Sequence, residues 1–270
     1  MGMGQHLKRW ITGIVAVPVL FAVIFYAPVP VFAAVIGLFA LAGLHEFLAM
    51  TLPRATVRQR GTALAAGALI LTAATVGDAA LILGVITLSV ISIFLLHLLT
   101  IRTEAFDLDP VYRIGFGLLY VPVFMAHFIL LRQSPRGIAW IFFVIVLAFA
   151  GDIAAYYVGR TWGRRKLQAV ISPGKSEEGI LGLVLGSIAG CLLYRAFFFP
   201  ALAWEHAAAM AAVGAVIGQL GDLCESTIKR SSGVKDSGFL LPGHGGVLDR
   251  LDCLLFITPF VYYYQLFVLK

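Results

Sequence analysis

Residues 79–99 read AALILGVITLSVISIFLLHLL, twenty-one positions without one Asp, Glu, Lys or Arg. As a helix, such a run is about 30 Å long, the thickness of a bilayer's hydrocarbon core. It lacks the polar stripe at helical spacing that a surface helix of a soluble protein carries. The stretch reads as a membrane-spanning helix, and the rest of the chain repeats the pattern.

Upstream, a tight turn at Gly77-Asp78 leads back to an apolar run over 61–76, and the polar loop LPRATVRQRG separates that run from a span over 31–50. The first apolar run, 10–26, follows Lys8 and Arg9. With no convincing cleavage site and more spans behind it, this run reads as a retained helix rather than a signal peptide. Downstream, further spans are expected over 111–131, 138–158, 180–199, 207–225 and 251–268. Together they predict an all-α polytopic membrane protein of about nine transmembrane helices, since a helix satisfies its own backbone in lipid.

Composition agrees. The chain is 60% hydrophobic and 13% charged, with mean hydropathy +0.95, whereas soluble domains carry about a quarter charged residues. The net charge of +6 does not point to nucleic acid, because no basic run is interleaved with aromatics. Cys191, Cys224 and Cys253 lie in or beside apolar segments without the spacing of a disulfide or a zinc site. Two regions are expected: N-terminal spans over 1–137, and a C-terminal region over 138–270 with cytoplasmic loops 159–178 and 226–250. With nine spans and an inward N-terminus, the inner side receives sixteen of the twenty Lys and Arg residues. Arg132, Arg136, Arg195 and Lys270 fall outside. That bias obeys the positive-inside rule and turns both large loops to the cytoplasm.

Six carboxylates lie in or at the ends of apolar spans: Glu46, Asp152, Asp222, Glu225, Asp249 and Asp252. At about 2.5–3.5 kcal/mol each, deep placement without partners would cost on the order of 15–20 kcal/mol. A domain's whole stability is about 5–15 kcal/mol, so interfacial water or a cation must compensate them. Four of the six sit in residues 221–252, GDLCESTIKRSSGVKDSGFLLPGHGGVLDRLD. Asp222, Glu225 and Lys229 share one helical face at i, i+3 and i+7, and Asp249 and Asp252 share another. Between them PGHGG interrupts the helix and lets backbone N–H groups approach a ligand. Carboxylates here would take divalent metal, with Asp222 and Asp249 first and Asp252 as ligand or support. Lys229, Arg230, Lys235 and Arg250 would take phosphate oxygens. Glu225 has two readings: part of the metal site, or an ion pair with Lys229.

This stretch resembles the signature of the phosphatidate cytidylyltransferase family. The matching residues are Ser226, Lys229, Arg230, Lys235, Asp236, Pro242, His244, Gly245, Gly246, Asp249, Arg250 and Asp252. A second string supports the likeness. Gly151-Asp152 precedes Arg160 at the spacing by which Gly221-Asp222 precedes Arg230, and ISPGKSEEG, residues 171–179, is similar to a family phosphate loop. In that loop Ser172, Pro173, Lys175, Glu178 and Gly179 match, Ser176 is a conservative change, and Gly174 replaces a lysine. The string SPGKS reads as a short flexible turn able to grip phosphate through Ser172, Lys175 and Ser176.

The resemblance implies transfer of a cytidylyl group from CTP to phosphatidic acid, giving CDP-diacylglycerol and pyrophosphate. It implies a catalytic set of Asp222, Asp249, Lys229 and Arg230. Mg²⁺ would be the cofactor, as one ion or two, with Mn²⁺ as a substitute. Ser172, Lys175, Ser176, Lys235, His244, Gly245, Gly246 and Arg250 would bind substrate, and Asp152, Glu225 and Asp236 would support them. His244 suits phosphate or turn binding better than proton transfer, because a phosphate monoester is already nucleophilic. The site would face the cytoplasm from the inner membrane, among membrane lipids and in a homodimer. Two other readings are a CTP-dependent lipid-alcohol kinase and a transporter whose intramembrane acids mark an ion path. Nothing in the sequence ties Glu46 to the cluster, so neutralising it is expected to cost little.

Overall fold

The computed structural model describes residues 17–101, 107–240 and 245–269. Among the described residues, each apolar run becomes a helix. In order these are α1 (Val17–Tyr26), α2 (Val29–Thr51), α3 (Val57–Val76), α4 (Ala79–Thr100), α5 (Asp109–Leu118), α6 (Phe124–Gln133), α7 (Gly137–Trp162), α8 (Glu177–Phe198), α9 (Trp204–Ser231) and α10 (Leu248–Val268). Among the described residues, seven helical segments are long and apolar enough to cross a membrane. The chain is a multi-pass α-helical membrane protein. The expected nine is met by those seven only. The helix α3 opens on the polar turn Arg58-Gln59-Arg60, and residues 10–16 of the first expected span lie outside the described residues.

Local chemistry sets the boundaries. Gly77 ends α3 at φ +77°, and the Asp78 side chain accepts from the Ala80 N–H at 2.8 Å to open α4. The tight turn expected there is thus a helix stop joined directly to a helix start. The α3 start is a capping box of Thr56 and Gln59. The span expected over 111–131 is helical over Asp109–Gln133 but passes through a π-helical turn, Leu119–Val123, around Pro122. Proline has no N–H to donate, and the wider turn absorbs the missing bond.

Two compact units emerge. The first comprises residues 1–133 and 234–250, the second residues 134–233 and 251–270. The later part of the signature loop, residues 234–250, packs with the N-terminal helices. The cause is α2. Glu46, buried on that helix at 3% exposure, holds Ser237, Val247 and Leu248 by hydrogen bonds. In the same unit, Arg113 of α5 pairs with Asp109 and donates to the Thr51 carbonyl. That carbonyl belongs to the last turn of α2, where orphan acceptors need a donor.

In the second unit α7 and α8 lie close along their length, with Gly182, Gly186 and Gly190 facing Val158, Ala154 and Ala150. Small residues let two helices approach in lipid, where dispersion rather than water exclusion holds them. The hydroxyls of Ser187 and Tyr194 tie α8 to the Leu147 and Ala139 carbonyls of α7 at 2.9 and 3.0 Å. Between α7 and α8 the loop is not a flexible turn. It forms an antiparallel hairpin of β1 (Lys166–Gln168) and β2 (Ser172–Ser176), and β2 is the SPGKS string itself. Pairing with β1 satisfies backbone groups that an isolated turn would leave to water.

Candidate active site

The C-terminal end of α9 carries the first part of the site. Asp222, Glu225 and Lys229 share a face, as their spacing predicts. Glu225 is fully buried and ion-paired with Lys229. Asp222 is ion-paired with Lys175 of β2 and accepts from the Ser226 hydroxyl at 3.3 Å. From α10 comes Asp252, whose Oδ1 accepts from the Cys253 N–H at 2.7 Å. Gly221 makes this approach possible: a Cβ there would stand 2.8 Å from the Asp252 carbonyl oxygen.

One carboxylate oxygen each from Asp222, Glu225 and Asp252 lies within 4.8 Å of the others. Asp152 of α7 lines a narrow cleft with Ser187, Gln219, Asp222 and Cys253. Four carboxylates therefore gather against two lysines. Among the described residues neither Asp152 nor Asp252 is ion-paired. Such a surplus of close negative charge is unfavourable unless a cation joins it. All the donors are hard oxygens, which suit Mg²⁺, Mn²⁺ or Ca²⁺ better than zinc. The residues that could hold a divalent cation are thus Asp222, Glu225 and Asp252. Glu225 makes the expected pair with Lys229 and also stands within the acidic group.

The remaining sequence candidates are distributed as follows. Asp249 belongs to the first unit. Its Oδ2 accepts from the N–H groups of Ser237 and Gly246 at 3.0 and 2.9 Å, and its own N–H donates to the Ser237 hydroxyl at 3.3 Å. It closes the loop that opens α10. Gly245, at φ +84°, takes the left-handed conformation that glycine alone adopts without strain. Lys235, Asp236 and Arg250 are exposed, and His244 lies outside the described residues. Ser172 lies on β2, beside Ile171, whose carbonyl accepts from Arg230 Nε at 3.4 Å. Ser176 is buried, and its hydroxyl accepts from the Gly179 N–H at 3.1 Å, capping α8. That gives the hydroxyl a helix-start role.

For two residues of the loop network the sequence did not reveal the partners. Ser237 carries no pattern of its own. Glu46 was set aside, yet its carboxylate accepts from the Val247 and Leu248 N–H groups at 3.0 and 2.9 Å and from the Ser237 hydroxyl at 3.1 Å. The available signal was an acid inside an otherwise apolar span, which is a functional candidate by default.

Fold and site define an α-helical integral membrane protein with an acidic and lysine-bearing cluster at its helix ends. Comparison with known sequences narrows the class. The profile of the cytidylyltransferase family matches residues 7–268, and the chain belongs to that family. A phosphatidate cytidylyltransferase of Bacillus subtilis is 37% identical over 161 residues, 59% of this chain and 60% of that protein. One from Pseudomonas aeruginosa is 40% identical over 151 residues, 54% of this chain and 55% of its own length. An uncharacterized protein of Escherichia coli, YnbB, is 36% identical over 162 residues, covering 58% of this chain and 54% of its own. The matched region spans little more than half of each relative.

Proposed function

We propose that this protein transfers the cytidylyl group of CTP to phosphatidic acid, forming CDP-diacylglycerol and releasing pyrophosphate. The observation that carries this reading is the gathering of Asp152, Asp222, Glu225 and Asp252 with Lys175 and Lys229, in a chain of the cytidylyltransferase family. A phosphate oxygen of phosphatidic acid attacks the α-phosphorus of CTP. The new P–O bond forms as the bond to the β-phosphate oxygen breaks, and pyrophosphate leaves with that electron pair. The attacking oxygen is already anionic, so no side chain need remove a proton.

The chain's own residues set up this exchange. Asp222, Glu225 and Asp252 are the proposed ligands of Mg²⁺, as one ion or two, with Mn²⁺ able to replace it. Such a cation supplies charge neutralisation between two anionic substrates and at the leaving pyrophosphate. Lys175 and Lys229, each ion-paired with a carboxylate of the group, keep ammonium charge beside the site for phosphate oxygens. Arg230 adds a guanidinium at the turn of the β-hairpin, where its Nε donates to the Ile171 carbonyl. Asp249 and the glycine loop are assigned to the same reaction by the signature they form. The charge bias of the loops supports a site facing the cytoplasm from the inner membrane, where CTP is found and where the lipid's acyl chains stay in hydrocarbon. A homodimer is part of the same proposal and rests on the family likeness.

The test is a product assay on the purified full-length chain in lipid-containing micelles. CTP with phosphatidic acid should give CDP-diacylglycerol and pyrophosphate in a reaction abolished by chelator, and CTP with diacylglycerol should give no phospholipid. Phosphorylation of diacylglycerol instead would make it a lipid kinase. No product from either pair would favour the transporter reading.

A further inference from the structure

The buried carboxylate of Glu46 has three neutral donors and no cationic partner among the described residues. An acid in that position is held by what it organises. The Val247 and Leu248 N–H groups are the unbonded donors at the start of α10, and a carboxylate there meets the positive end of the helix dipole. The third donor, the Ser237 hydroxyl, arrives from the other flank of the glycine loop. One side chain on α2 therefore grips both ends of the segment 237–248.

The grip passes directly to Asp249. The Ser237 hydroxyl that donates to Glu46 also accepts from the Asp249 N–H, and the Ser237 N–H donates to Asp249 Oδ2. Gly246 donates to the same oxygen, and it lies so near Glu46 that a Cβ there would stand 2.5 Å from Oε2. That spacing gives a physical reason for glycine at this place in the signature.

We propose that Glu46 is a positioning residue for Asp249, acting through Ser237 and the α10 start. In this role it sets where the signature loop presents Asp249. The link to chemistry rests on the cytidylyl-transfer reading, whereas the grip on the loop does not.

The experiment compares wild type, Glu46→Gln, Glu46→Asp and Ser237→Ala as full-length proteins in micelles, each eluting as one species. First, amide hydrogen exchange is followed without nucleotide or added cation. In Glu46→Gln and Ser237→Ala the peptides over 234–250 should exchange about tenfold faster or more, while those of α7 to α9 are unchanged. Second, kinetics of CDP-lipid formation are measured. Displacing Asp249 should lower kcat by about tenfold or more and leave the KM for CTP within about threefold. Glu46→Asp, which keeps the carboxylate, should recover part of the loss. Wild-type exchange in Glu46→Gln overturns the grip. Faster exchange with wild-type kinetics shows the loop is stapled for stability and overturns the positioning role. A wild-type chain making no CDP-lipid overturns the transfer reading, while the exchange measurement, which needs no substrate, still decides the grip.

Discussion

Asp222 concentrates the residue-scale chemistry. It is one of the four gathered carboxylates, the partner of Lys175, and an acceptor for Ser226. Asp222→Asn keeps the shape and removes the charge. Turnover should fall by about a hundredfold or more, the usual loss when one electrostatic contributor to a transition state is removed. The protein should still elute as a single species, and a shift in the Mg²⁺ concentration for half-maximal rate would separate weaker cation binding from lost geometry. Lys175→Ala should raise the KM for CTP or lower turnover by about tenfold, equivalent to roughly 1.4 kcal/mol. Because Lys175 and Asp222 are in contact, the double variant should lose less than the product of the single losses. Strictly multiplicative losses would mean the pair acts in separate roles.

At the scale of elements, the β-hairpin and the start of α8 divide the labour of one short string. Lys175 turns to the acidic cluster, while the next residue, Ser176, is buried and caps the helix. Ser176→Ala should therefore lower stability by about 1 kcal/mol, as loss of an N-cap does, and leave the kinetic constants close to wild type. Thermal denaturation in micelles and steady-state assays on the same sample check both halves. A large change in the KM for CTP with unchanged stability would return Ser176 to phosphate binding. The contrast with Lys175 follows from strand alternation, since adjacent side chains on β2 point to opposite faces.

For the whole molecule, the question is orientation. Long charged connections alternate with short ones along the chain, and the charged set includes both motif loops. With the native cysteines replaced, single cysteines at Gln168 and Arg136 should label from opposite sides of a sealed vesicle, Gln168 from the cytoplasmic side. These positions flank α7, which is long and apolar enough to cross a membrane. Labelling of both from one side would exclude α7 as a span and with it the cytoplasmic assignment of the hairpin.

The amino-acid sequence by itself determined the class of fold. Runs such as 79–99 have no charge to leave in water and no polar face, so helices in lipid are the one arrangement that satisfies their backbone. Spacing also placed Asp222, Glu225 and Lys229 on one face, because helical periodicity is local. Tertiary structure alone decided what those faces meet. Lys175 lies forty-seven positions from its partner Asp222, and Ser237 lies one hundred and ninety-one from Glu46. No periodicity reports such separations. SPGKS became a strand because β1 was there to pair with it, and Ser176 became a cap because α8 begins after it. Glu46 stood out as an acid in an apolar span, but chain order could not name its partners, since its three donors come from the far end of the sequence. A buried carboxylate must find partners, but only the packing of α2 against the signature loop determines which ones.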